Sequence, residues 1–136
     1  QTFDRKQLPE HVQIALHTVE TADALIVGTP VYRASYPGLF KHFFDLIEQF
    51  ALVNVPVILA ASGGSERHSL VIEHQLRPLF SFFQTQTMSL GVYATDKDFS
   101  SDYRIINHEL LERISLTIQR ALPILRAIKL RHFMKN

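Results

Sequence analysis

Two short loops hold the residue types in this chain best suited to chemistry. The first runs through Thr29-Pro30-Val31-Tyr32 to Ser35, and the second is Ser62-Gly63-Gly64-Ser65, followed by His68. Pro30, Val31 and Tyr32 offer an apolar, partly aromatic surface and part of an edge contact, while Gly63 and Gly64 let backbone come close to a bound molecule. Ser65 adds a hydroxyl where the next helix starts. Read singly, each loop is an ordinary strand-to-helix connection. Placed together at equivalent ends of adjacent parallel strands, they make a ligand site.

Other chemistries lack their residues. There is no cysteine, which removes a disulfide framework, a thiol nucleophile and thiolate metal ligation. His11, His17, His42, His68, His74, His108 and His132 are scattered and show no His-Glu-x-x-His spacing, so no metal site is expected. Neither a Gly-x-Ser-x-Gly elbow nor a Gly-x-Gly-x-x-Gly fingerprint is present.

The elements that must position the two loops follow from hydrophobic period. Ala24 to Val27 is a short apolar run without polar alternation, as a strand covered on both faces requires, and Gly28 and Pro30 are expected to stop it. Pro37 then suits a first helical turn, with Leu39, Phe40, Phe43, Leu46, Ile47 and Phe50 at helical spacing. Val57 to Ala61 reads as a second buried strand, Glu66 to Phe83 as a helix, and Thr87 to Tyr93 as a third strand. Pro9 to Thr21 makes an amphipathic helix on Val12, Ala15, Leu16 and Val19. Ser100 to Leu122 makes another, capped by Ser101 or Asp102. Alternating strands and helices imply right-handed crossovers and a parallel sheet. Three strands are few for this class, so residues 1–136 are expected to be a single domain in an N-terminally truncated form. At least one strand should pair beside Ala24 to Val27, unless Gln1 to Leu8 or a second copy covers that edge.

Composition sets the outer bounds. The 136 residues are 46% hydrophobic, enough to bury a core, and 14 basic against 13 acidic residues give no electrostatic case for nucleic acid. No apolar run is long enough to span a bilayer, and a cytoplasmic protein is expected. The basic tail from Leu125 to Asn136 reads as a solvated helix end.

Thr29-Pro30-Val31-Tyr32 with Ser35, Gly38, Leu39 and Lys41, followed by Ser62-Gly63-Gly64-Ser65-Glu66-Arg67-His68, resembles the NADPH-dependent FMN reductases. The resemblance is nearest to the flavin reductases of two-component alkanesulfonate monooxygenase systems. It implies an α/β flavodoxin-like, doubly wound parallel sheet lacking its first strand or strands. The family's opening Gly-Ser-x-Arg-x-x-Ser phosphate loop has no counterpart here. Also implied are hydride transfer from NADPH or NADH to FMN and delivery of reduced FMN to a flavin-dependent monooxygenase, by a homodimer or homotetramer without nucleic-acid or membrane partners. The flavin contacts it implies are Thr29, Pro30, Val31, Tyr32, Ser35, Gly63, Gly64, Ser65 and His68. No catalytic side chain is required, because an isoalloxazine ring needs a surface and backbone donors rather than a protein acid or base. A quinone or azo-dye reductase, and a non-enzymatic fragment or interaction module of the same fold, are the alternatives.

Pro78 adds a separate expectation. In a regular helix its ring would collide with the carbonyl of His74, and it cannot donate the bond that carbonyl awaits. A kink or a π-bulge must result. The resemblance implies a π-helix at His74, and the apolar residues around it suggest an assembly surface.

Overall fold

The computed structural model describes residues 4–134. Helix α1 (Glu10–Glu20) leads into strand β1 (Leu25–Pro30), helix α2 (Gly38–Asp45) and strand β2 (Pro56–Gly63). A π-helix (Ile72–Leu76) runs directly into α3 (Arg77–Phe82). The short strands β3 (Gln86–Thr87) and β4 (Val92–Thr95) and the long helix α4 (His108–Met134) complete the order. All pairings are parallel. β2 is central, with β1 on one side, from Leu25↔Val57 to Pro30↔Ser62, and β3 and β4 end to end on the other.

Helices cover both faces, as in a doubly wound sheet. On one face Leu16 of α1, Phe44 of α2, Phe80 of α3 and Phe83 just after it close over Val27, Val57 and Leu59. Phe80 is fully buried and meets Phe44 edge to face, with centroids 5.0 Å apart at 76°. On the other face α4 packs on β2 and β4.

Several boundaries differ from the sequence expectation, each for a physical reason. Pro30 does not stop β1. Val31 N–H donates to the Ser62 carbonyl at 2.7 Å, so the amides of odd-numbered residues face β2. The alternation turns Pro30's missing donor to the outer edge, where it costs nothing. β1 is also not covered on both faces, since Val27 and Thr29 are buried whereas Ile26 is 76% exposed. Its outer edge has no strand partner among the described residues. Gln1–Phe3 lie outside that range, and the turn Arg5–Gln7 is tied instead to α1 by a bidentate Arg5–Glu20 pair at 2.6 and 3.0 Å.

α2 ends at Asp45 and leaves Phe50 exposed, because the Glu48 amide that would continue the helix donates to the Glu20 carboxylate at 2.8 Å. α4 starts at His108, not Ser100. Asn107 is its cap, accepting from the amides of Glu109 (3.0 Å) and Leu110 (3.4 Å), while Ser100 and Arg104 close a separate turn. The helix then runs through Pro123, so most of the basic tail belongs to α4.

The third strand is broken between Thr87 and Val92. The Arg77 guanidinium donates to the Thr87 hydroxyl and to the carbonyls of Met88 and Ser89, and Ile72 packs so closely on Gly91 that a Cβ there would sit 2.6 Å from its Cγ2. Backbone carbonyls engaged by Arg77 are lost to the ladder. The span from Glu66 to Phe83 is likewise not one helix. It is a 3₁₀ turn (Glu66–His68), then the π-helix, then α3. Arg77 N–H bonds to Ile72 O, five residues back, and this wider register accommodates Pro78 without the clash at His74.

Candidate functional site

β1 and β2 end side by side, with Pro30 opposite Ser62, so the loops that leave them touch. Val31 Cβ lies 3.5 Å from the position a Cβ would take on Gly63. Beyond Val31 the chain reverses through Tyr32-Arg33-Ala34-Ser35. Tyr32 and Ser35 exchange both backbone hydrogen bonds, at 2.8 and 3.2 Å, and Arg33 and Ala34 have φ of 52° and 67°. Two successive left-handed residues make a type I′ hairpin turn, a geometry that normally selects Asn or Gly. Holding Arg and Ala there stores backbone strain of the kind concentrated at binding sites. The turn leaves Tyr32 63% exposed.

Ser35 is anchored from outside the loop, its hydroxyl donating to the Gln75 amide oxygen of the π-helix at 3.1 Å. Gln75 itself is held on an element fixed by Arg77, which also grips Glu73 through two bonds of 2.7 and 2.9 Å. The Arg77 hydrogen bond holds the Glu73 carboxyl below the ordinary glutamate range, against a smaller opposing effect of burial. The strained turn and the π-helix are thus mechanically joined.

The second loop contains two glycines that differ in cause. A Cβ on Gly63 would overlap the Tyr93 hydroxyl, whereas one on Gly64 would meet nothing within 4 Å. Neither has a positive φ. Tyr93 donates its hydroxyl to the Ser65 carbonyl at 2.6 Å. Burial, and secondarily the charge of Glu66, push its phenol above the ordinary tyrosine range. Ser65 makes no capping bond through its side chain, and what it opens is a 3₁₀ turn rather than an α-helix.

Set against the sequence expectation, Pro30, Val31, Tyr32, Gly63, Gly64 and Ser65 come together on one rim. His68 closes the 3₁₀ turn that follows, half-buried. Thr29 is buried with its hydroxyl donating to the Pro30 carbonyl at 3.1 Å. The amides of Val31 and Tyr32 are taken by Ser62 and Ser35. His74 and Pro78 are exposed, on the π-helix and α3. Tyr93, Gln75 and Arg77 carry the local geometry and were not singled out by sequence. Only the Glu73/Arg77 spacing of four residues signals any of it. A cavity of about 340 Å³ also opens on the α4 face, between Pro30, Ala60, Ser62, Ala94, Phe99 and Leu110. Its walls are mainly apolar, with no charged group among them.

The sequence profile described as NADPH-dependent FMN reductase matches residues 1–100. The chain belongs to that family. It is 58% identical over 122 residues to an NADH-dependent FMN reductase, SfnF, of Pseudomonas fluorescens, a match covering 90% of this chain and 65% of that protein. It is 55% identical over 123 residues to an FMN reductase (NADPH) of Pseudomonas aeruginosa, covering 90% and 66%. The chain therefore spans just under two thirds of the length of these relatives. Among solved structures, an oxidoreductase from Corynebacterium diphtheriae superposes with a TM-score of 0.73 at 38% identity, covering 82% of this chain and 60% of that one. The apo form of the NADH:FMN oxidoreductase EMOB gives 0.76 at 29% identity, covering 87% and 62%. Tyr32 is exposed at this rim, and the space over Gly64 is open.

Proposed function

We propose that this chain carries the flavin-ring site of an NAD(P)H-dependent FMN reductase that supplies reduced FMN to a monooxygenase acting on alkanesulfonates. The observation that carries the reading is the rim itself, where a strained tyrosine turn and an open glycine loop leave adjacent paired strand ends. Bound FMN supplies the two-electron chemistry between NADPH or NADH and the acceptor. The chain's own residues position it: Tyr32 and Pro30 give the surface, Gly64 the clearance, and the backbone and hydroxyl of Ser65 the polar edge. No side chain need move a proton. The loop after β2 enters a 3₁₀ turn, so this loop offers no α-helix N-terminus of the kind that anchors phosphate. The rim accordingly binds the ring and contributes little to holding the phosphate.

Exposed His74 on the π-helix, with Leu70 and Phe82 each 59% exposed beside it, supports self-association into a homodimer or homotetramer. Among the described residues no helix is long and apolar enough to cross a membrane, which is compatible with a cytoplasmic enzyme. The test is FMN titration by flavin fluorescence, with NAD(P)H oxidation followed in parallel. It should be run on this chain and on the protein at the full length of its relatives. The long form is expected to bind FMN and to oxidise NADPH or NADH only when FMN is added, and the 136-residue chain to bind more weakly. A long form that leaves FMN fluorescence unchanged would overturn the proposal.

A further inference from the structure

We infer that Tyr93 is a positioning residue for flavin binding, setting the Gly63-Gly64-Ser65 loop from beneath, and that Gly63 is glycine because of it. The inference rests on the rim being the ring site. Tyr93 lies on β4, paired with Ala61 of β2, and its side chain shares a sheet face with Gly63 and Val31. Its ring passes under Gly63, and its hydroxyl continues to the Ser65 carbonyl at 2.6 Å. One side chain therefore does two things. It occupies the volume a side chain on Gly63 would need, and it fixes the Ser65–Glu66 peptide. The peptide it holds carries the Glu66 amide, an edge donor at a rim where Val31 and Tyr32 have spent theirs. The phenol is protonated at neutral pH and so donates, and burial, then Glu66, shift its ionisation further upward.

The two glycines are thus separable. Gly64 answers to a ligand and Gly63 to Tyr93, and this gives a reciprocal test. A Cβ at residue 63 overlaps only the Tyr93 oxygen, with Cζ at 3.4 Å and Val31 Cβ at 3.5 Å in ordinary contact. Removing that oxygen should make room for alanine.

The experiment compares Gly63→Ala, Tyr93→Phe, the double variant and Gly64→Val in the long form. It measures the FMN dissociation constant, KM for FMN, kcat and thermal stability. Tyr93→Phe is expected to weaken FMN binding roughly threefold to tenfold, the loss of one hydrogen bond, with KM rising and kcat at saturating FMN kept. Gly63→Ala should be worse, and the double variant should return to the level of Tyr93→Phe. A double variant no better than Gly63→Ala, or a Tyr93→Phe protein with unchanged affinity, would overturn the inference. If Gly64→Val still abolishes binding in that event, the rim stands and only the role of Tyr93 falls. Should Gly63→Ala fail to fold, Tyr93→Phe decides alone, because it removes one oxygen and leaves the ring in place.

Discussion

Replacing Gly64 should separate folding from binding in a single residue. No protein atom lies within 4 Å of a Cβ at this position, and its φ is not positive, so alanine or valine fits without strain. Removing a glycine from a compatible backbone reduces unfolded-state entropy and stabilises by about 0.4–1 kcal/mol. For a domain of this size that is a rise of roughly 1–5 °C in Tm. The ligand side predicts the opposite sign. A ring lying on the loop requires carbon contacts at about 3.5–4.0 Å, and valine places three extra carbons in that layer. The ring must lift or tilt, and a loss of at least about tenfold in FMN affinity, ~1.4 kcal/mol, is expected. Thermal denaturation without ligand and fluorescence titration with FMN give the two numbers. A Gly64→Val protein that is as stable as the parent and binds FMN within a factor of about two would refute the assignment. One that unfolds readily would refute the claim of open space.

Tyr32→Ala should weaken FMN binding by about 1 kcal/mol, the usual worth of an aromatic contact, while leaving Tm unchanged because the ring is already 63% exposed; calorimetric titration and melting check both. Deleting His74 should return the π-helix (Ile72–Leu76) toward α register, and with it a smaller particle by light scattering and a changed rate of flavin release; unchanged mass and turnover would refute a role in assembly. Asp98 accepts from Thr95 N–H at 2.7 Å and from Asn107 at 2.7 Å, which hold its carboxyl below the ordinary aspartate range. Its folded value is depressed, so its contribution is complete above the ordinary aspartate value and lost as pH falls through the folded one. Asp98→Asn should therefore cost roughly 1–3 kcal/mol at neutral pH, a gap that closes below about pH 4 in urea melts.

What could be read from the sequence was local, and what could not depended on contacts distant along the chain. The βαβ alternation and the two strand-end loops show in apolar runs, Gly and Pro, because those features act over a few residues. Pro78 marks the helix that has to deform, since its steric conflict is with a residue four positions back. By contrast, α2 ends where it does because Glu20, on another helix, takes the Glu48 amide. The third strand breaks because Arg77 captures carbonyls beyond Thr87. Pro30 stays in β1 because of which neighbour its strand pairs with, a matter of parity invisible before the sheet is known. The loops themselves read as a binding pair, yet the support beneath them did not. Tyr93 has no motif around it and becomes informative only when its hydroxyl is seen under Gly63.

The most direct test of the rim as the flavin-ring site is an NMR amide correlation spectrum of the 136-residue chain titrated with FMN at millimolar concentration, where weak binding is visible. Binding at the rim predicts the largest shifts at Arg33, Ala34, Gly64, Ser65 and Glu66, with smaller ones at Tyr93. Shifts confined to the α4-face cavity around Phe99 and Leu110, with Gly64 and Ser65 unmoved at saturation, would contradict it.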